Sequence, residues 1–147
     1  DDTWGEVTLL SGLPGAGKDR WLAAQDPQLP VISLDAIRAE QEVDPADEQG
    51  GVVSAAKARA RELLRRRQPF VWNATNLTRR LRDALIGMFL DYGARVRIVA
   101  TDAPLELVLQ RNRQRAEPVP EAVIRRLAAR VEPPDLTESH TLTIVEG

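Results

Sequence analysis

The segment Gly12-Leu13-Pro14-Gly15-Ala16-Gly17-Lys18-Asp19 carries the strongest chemical signal in this chain. It fits the pattern G-x-x-x-x-G-K, with aspartate where serine or threonine usually follows the lysine. Glycines at these spacings let the backbone curl until successive N–H groups converge on one point, a shape that receives a phosphate. A helix opening at Lys18 adds its positive N-terminal end, and the lysine adds a mobile charge for the β- and γ-phosphates. The chain holds two lysines, Lys18 and Lys57, against 18 arginines. A lysine kept here fits a task that a planar guanidinium does not perform. Asp19 presents hard oxygen, which magnesium prefers, so it is expected to bind that ion directly or through water. The competing readings are a plain glycine-rich turn, and a loop that no longer holds metal.

Three further groups belong to the same chemistry. Asp35 follows the second apolar run, and Arg38 lies three residues on, so the two share one face of a short helix. A carboxylate there can take the proton of an attacking hydroxyl while the arginine holds an anionic acceptor; a helix N-cap is the alternative role for Asp35. Asn73-Ala74-Thr75-Asn76 ends a third apolar run with amides and a hydroxyl, which suits either a crevice or a simple turn. Arg111-Asn112-Arg113-Gln114-Arg115 comes late in a helix. Arg111 and Arg115 share a face and Arg113 points elsewhere. Cations on a mobile segment serve as a lid over phosphates, whereas a solvated basic helix end is the bland reading. His140 reads as structural, and the scattered Trp4, Trp21 and Trp72 form no platform for stacking bases.

The elements that position these groups follow from the apolar pattern. Short strands are expected at Glu6–Ser11, Pro30–Leu34, Phe70–Trp72, Arg95–Ala100 and Thr141–Val145. Helices are expected at Lys18–Ala24, Asp35–Gln41, Val52–Arg67 and Thr78–Tyr92, the last with Leu81, Leu85, Met88 and Phe89 on its apolar face and Gly93 as C-cap. Pro104 and Pro120 stand at first helical positions of two more, running to Arg113 and Arg130. Acidic Glu42–Gln49 reads as a loop punctuated by Gly50-Gly51. This alternation predicts an α/β fold, a parallel sheet of about five strands with helices on both faces, whose ligands bind beyond the strand carboxyl ends.

Composition bounds the rest. At 147 residues, 43% hydrophobic and 29% charged, the chain suits one domain, residues 1–147. It contains no cysteine and one histidine, so disulfides, thiolate metal sites, thiol nucleophiles and polyhistidine sites are out. A reducing, cytoplasmic setting fits the missing cysteine, and no apolar run is long enough for a membrane span. The chain opens on Asp1-Asp2, and Met88 is its sole methionine; excision from a longer protein is therefore expected. Charge is segregated: residues 1–56 carry net −8, 57–130 net +10 and 131–147 net −4. The basic middle can draw a polyanion to one face, or form solvated helix surfaces.

Taken in order, G-L-P-G-A-G-K-D, V-I-S-L-D-A-I-R, W-N-A-T-N-L and L-V-L-Q-R-N-R-Q-R, from about Val7 to Arg130, resemble the polynucleotide 5′-kinase family of P-loop phosphotransferases. The aspartate-bearing loop is most similar to the kinase module of bacterial RNA-repair proteins that join an HD phosphohydrolase domain to a polynucleotide kinase. The resemblance implies a P-loop NTPase-type sheet with a helical arginine lid. It also implies transfer of the γ-phosphate of ATP or another nucleoside triphosphate (NTP) to the 5′-hydroxyl of RNA or DNA with Mg2+, and an upstream HD domain as a companion. Residues 12–19 then bind the donor through Gly12, Leu13, Pro14, Gly15, Ala16, Gly17, Lys18 and Asp19. Asp35 matches the general base, Arg38 the contact to the acceptor's phosphate, and Thr75 a wall of the acceptor site, with Asn73 and Asn76 beside it. Arg111 and Arg115 match the lid arginines, Arg115 being the transition-state contact. Asp19 replaces a hydroxyl and Asn73 an aspartate found in relatives, an exchange that moves one carboxylate from strand end to loop. A kinase of small hydroxylated metabolites and a nucleotide-binding regulatory module share the same loop and remain the alternatives.

Overall fold

The structure, a computed structural model, describes residues 4–43 and 50–146. Five strands, β1 (Glu6–Ser11), β2 (Val31–Ser33), β3 (Val71–Asn73), β4 (Arg95–Asp102) and β5 (Thr141–Glu146), form one sheet in the order β2-β3-β1-β4-β5. Every pairing is parallel. Six helices lie between them: α1 (Lys18–Ala23), α2 (Leu34–Gln41), α3 (Gly50–Arg65), α4 (Arg79–Asp91), α5 (Leu105–Arg113) and α6 (Glu121–Ala129).

The central strand β1 is buried along Val7–Ser11, as a parallel strand covered on both faces must be. Its alternate side chains enter different cores. Val7 and Leu9 join Ile32, Trp72, Val96 and Ile98 beneath α3 and α4, which contribute Val52, Ala56, Ala60 and Leu64, and Leu85, Ile86 and Phe89. Phe89 packs edge-on against Phe70, with ring centroids 5.6 Å apart. Leu10, with Val71 and Val99, faces Trp21 and Leu22 of α1. A third cluster, Ala16, Val108, Leu109 and Ile124, packs α5 and α6 beside the glycine-rich loop. Among the described residues no helix is long and apolar enough to cross a membrane.

The expected α/β architecture stands, with local corrections. Gly50-Gly51 open α3 instead of punctuating a loop; at a helix start their conformational cost is small. The helix ends at Arg65, and Arg67 takes a positive φ of 54°. Of the expected acidic loop, residues 44–49 lie outside the described residues. Pro104 and Pro120 stand one place earlier than expected, as N-caps with extended ψ. Gly93, at φ 77°, follows α4 as expected, and Ala94 N–H returns to the Phe89 carbonyl. β4 runs two residues beyond Ala100, because Thr101 and Asp102 pair with Val145 and Glu146.

The apolar face of α4 is rotated from the expected one. Leu81 is 56% exposed, and Arg82 takes the inward place with Leu85, Ile86 and Phe89. The spacing 82, 85, 86, 89 is as helical as the one expected. It goes unseen because its first member is an arginine that is satisfied by polar partners instead of water. His140 is structural, as expected: its Nδ1 accepts from Val96 N–H at 3.0 Å, and its own N–H donates to the Val96 carbonyl at 3.1 Å.

Candidate active site

Because all five strands run the same way, their carboxyl ends and the segments after them share one edge, where open parallel sheets bind ligands. β1 delivers the loop 12–17 to that edge, β2 delivers Asp35, β3 delivers Asn73–Asn76, and β4 leads into α5. The pairing of Ser33 with Asn73 sets the second and third of these side by side.

The loop has the shape its glycines dictate. Gly17 adopts φ 113° at the N-cap of α1, a conformation that side chains resist. Gly12 is required for a different reason: a Cβ there would stand 2.0 Å from Thr101 Oγ1, so β4 can lie this close to the loop only against a bare backbone. Gly12 N–H donates to the Thr75 carbonyl at 2.9 Å, and Ala16 N–H to that of Leu13 at 3.1 Å. The helix after the loop has only six residues.

Lys18 Nζ folds back to donate to the Gly12 carbonyl at 3.0 Å. Burial lowers its pKa from 10.5 to about 8, partly offset by the carboxylates of Asp35 and Asp19, while Arg115 lowers it further. Three residues singled out from the sequence, Asp35, Asp19 and Arg115, therefore all act on the charge of Lys18. Asp19 lies in the first turn of α1 and is exposed.

Capping of α2 belongs to Ser33, whose Oγ accepts from Ala36 N–H at 3.2 Å. That removes the N-cap role from Asp35, which sits in the first turn of α2, 90% exposed, and pairs with the guanidinium of Arg38. On the opposite side, Arg111 Nη1 donates to the Gly15 carbonyl at 3.1 Å. Arg113 is turned away onto Glu121 at 2.7 Å, and Arg115 lies exposed past the end of α5. The basic segment is less loosely attached than a free flap. Buried Asn112 donates from Nδ2 to the Val119 carbonyl at 2.6 Å and accepts Val119 N–H at 2.9 Å, which pins the far end of the loop to α5.

Asn73 and Thr75 are half-buried at the strand end, whereas Asn76 is turned inward. Its Nδ2 donates to the Leu10 carbonyl at 2.6 Å, and its φ is 46°. Its carbonyl accepts from Ser11 Oγ and from Arg82. Its amide thus joins β3 to β1 instead of lining the crevice. Ser33, Arg82 and Asn112 were not among the residues expected at the site. Ser33 alone had a readable signal, a serine directly before a helical pattern.

A glycine-rich loop and a half-buried lysine at the carboxyl edge of a five-stranded parallel sheet define a P-loop protein of kinase-like fold. The AAA-domain family model matches residues 7–134, and the chain belongs to that family. Among solved structures it is similar to a chain of the Pnkp1/Rnl/Hen1 RNA repair complex, with TM-score 0.77 and 20% identity over 88% of this chain and 45% of that one. This chain therefore spans less than half the length of that relative. It is also similar to Chaetomium thermophilum Kti12 in complex with ADP-AlF3, with TM-score 0.68 and 17% identity over 95% of this chain and 88% of that one. The Mycobacterium tuberculosis APS kinase CysC in complex with AMPPNP and APS matches with TM-score 0.61 and 17% identity over 97% and 89%. No curated protein matches the sequence significantly.

Proposed function

We propose that this domain is a polynucleotide 5′-kinase, which transfers the γ-phosphate of ATP or another NTP to the 5′-hydroxyl of RNA or DNA during nucleic-acid repair. The observation that carries the reading is the position of Asp35. It is freed from capping by Ser33, exposed at the sheet edge, and close enough to raise the pKa of the phosphate-loop lysine. A base that faces the donor loop, with an arginine at its side, is what a hydroxyl acceptor flanked by a phosphodiester requires.

In this mechanism Asp35 takes the proton of the 5′-hydroxyl as that oxygen bonds to the γ-phosphorus. The bond from phosphorus to the β–γ bridging oxygen breaks, which releases a nucleoside diphosphate. The loop N–H groups and Lys18 hold the phosphates, Arg111 steadies the loop through Gly15, and Arg115 meets the transferring group. Arg38 holds the acceptor's first phosphate, and Asn73 and Thr75 bound its path. The residues fit a magnesium ion. Asp19 offers one exposed carboxylate, and among the described residues no cluster of three or more acidic or imidazole groups competes for it, matching an ion that takes one or two carboxylates plus substrate phosphates. When bound, the ion offsets negative charge on the β- and γ-phosphates. A cytoplasmic location and an upstream HD phosphohydrolase domain in the full protein belong to the same proposal.

The test uses γ-labelled ATP, magnesium and a 5′-hydroxyl oligonucleotide, with a 5′-phosphorylated control and Asp35→Ala alongside. Label on the 5′-hydroxyl strand alone, lost in the variant, is expected. The likeness to APS kinase over nearly the whole chain favours a second reading, a kinase of small hydroxylated metabolites. Equal transfer to a mononucleoside and to a longer strand would select it. ATP binding with no labelled product from any acceptor would leave only a regulatory nucleotide-binding role.

A further inference from the structure

Arg82 is fully buried, yet no part of the phosphoryl-transfer scheme uses it. Its guanidinium is spent on three acceptors in two segments. Nε donates to Glu138 Oε1 at 2.8 Å, Nη1 to the Asn76 carbonyl at 2.9 Å, and Nη2 to the Glu132 carbonyl at 2.6 Å. Glu138 is equally buried, and its Oε2 accepts Asp135 N–H at 2.8 Å. Glu132 N–H in turn donates to the Leu77 carbonyl at 2.8 Å. The segment before β5 is thus folded around the start of α4, with Arg82 as the hub.

The Asn76 carbonyl is the informative partner, because it also accepts from Ser11 Oγ at 2.9 Å, immediately before the phosphate loop. Next to it, the Thr75 carbonyl accepts Gly12 N–H. The turn that carries Asn73 and Thr75 is therefore held between the donor loop on one side and Arg82 on the other. The phosphate loop has holds of its own on the β4 side, from Arg111 to Gly15 and from Thr101 Oγ1 to the Ser11 carbonyl at 3.4 Å. Loosening Arg82 should free the turn while leaving the donor loop in place.

We propose that Arg82 is a positioning residue that, through the Asn76 carbonyl, fixes the 73–76 turn against the phosphate loop and so sets how an acceptor hydroxyl meets the bound donor. The kinetic part of this inference rests on the kinase reading; the structural part does not. Removing Arg82 alone leaves the Glu138 carboxylate buried and unpaired, which is severely destabilising. Replacing both members of a buried pair with apolar residues is usually tolerated. The decisive variant is therefore Arg82→Met with Glu138→Met, flanked by Arg82→Lys, which keeps the charge and loses the fork.

The full domain is assayed with both variants, measuring melting temperature, ATP affinity, separate KM values for donor and acceptor, kcat, and amide hydrogen exchange. The double variant is expected to melt cooperatively and bind ATP within about twofold of the wild type. Its acceptor-side kcat/KM should fall by about 10- to 100-fold, the range set by sub-ångström to ångström misplacement. Arg82→Lys should recover part of the loss, and the amide of Gly12, which donates to the Thr75 carbonyl, should exchange faster in the double variant. Wild-type kinetics and exchange in a folded double variant would overturn the proposal, as would equal losses of donor and acceptor binding. If the wild type phosphorylates no acceptor, the kinase reading fails. Exchange then decides alone: faster exchange at Gly12 with ATP binding intact supports the role of Arg82, and unchanged exchange overturns it.

Discussion

The guanidinium of Arg111 reaches from α5 to the carbonyl of Gly15 at 3.1 Å, so one of the two arginines proposed as a lid ties α5 to the phosphate loop. Arg115, four residues on, lies past the helix end and is exposed, though its charge is felt at Lys18. In the proposed mechanism the two arginines therefore divide the work, Arg111 shaping the loop and Arg115 meeting the substrate.

That division gives different kinetic signatures. Arg111→Ala should weaken ATP binding, since the loop loses a hold, while Arg115→Ala should leave binding nearly intact and lower kcat by about 10²–10³-fold. Equilibrium ATP titration beside steady-state kinetics separates the two; matching losses in both variants would contradict it.

Asp35 and Ser33 stand two residues apart, the first proposed to take a proton and the second capping α2. Asp35→Asn should reduce kcat by about 10²–10⁴-fold without a change in melting temperature. Ser33→Ala removes the Ala36 N–H acceptor and should cost about 1 kcal/mol of stability with a much smaller effect on rate. Thermal melts and initial rates on both variants provide the check.

Lys18 makes nucleotide binding sensitive to alkaline pH. Burial sets its pKa in the free protein at about 8, and bound phosphates favour the charged form. Below pH 8 the ammonium is already present and affinity should be flat. Above it, binding must draw a proton from solvent, so affinity falls as pH rises. Calorimetry at pH 8.5 in buffers of different ionisation enthalpy should register proton uptake, which Lys18→Met abolishes.

Asp19 and Asn73 form a testable exchange. Asp19→Ser should lower magnesium-dependent activity, and adding Asn73→Asp should restore a substantial part of it, because the site regains its carboxylate at the strand end. Titrating magnesium against rate for both variants shows whether the metal requirement moves with the carboxylate. Full activity of the single variant would remove the idea.

Much of this molecule was legible in its sequence because its signals are local. Buried parallel strands read as apolar runs, and the loop 12–19 declares its backbone shape through Gly12 and Gly17. The pairing of Asp35 with Arg38 follows from spacing along a short helix, whereas Arg115 falls past the end of α5 and does not share a helical face with Arg111. What escaped was polar and long-range. The inward turn of Arg82 depends on Glu138, 56 residues away, and no periodicity in α4 announces it. Leu81 looked like core because hydrophobicity was weighed without that partner. Asn76 looked like a crevice residue because the Leu10 carbonyl that occupies its amide lies 66 positions earlier.

The two seams along β1 are unlike. Toward β4 the ladder runs in register from Glu6↔Arg95 to Ser11↔Ala100, whereas toward β3 it covers only Thr8↔Val71 and Leu9↔Trp72. Past Leu9 the β3 seam is closed by Asn76 to Leu10, Ser11 to Asn76 and Gly12 to Thr75. Such a seam depends on a few polar contacts instead of a continuous ladder. β1 is thus secured to β4 by a continuous ladder and, past Leu9, to β3 by single polar contacts, each of which one substitution can remove.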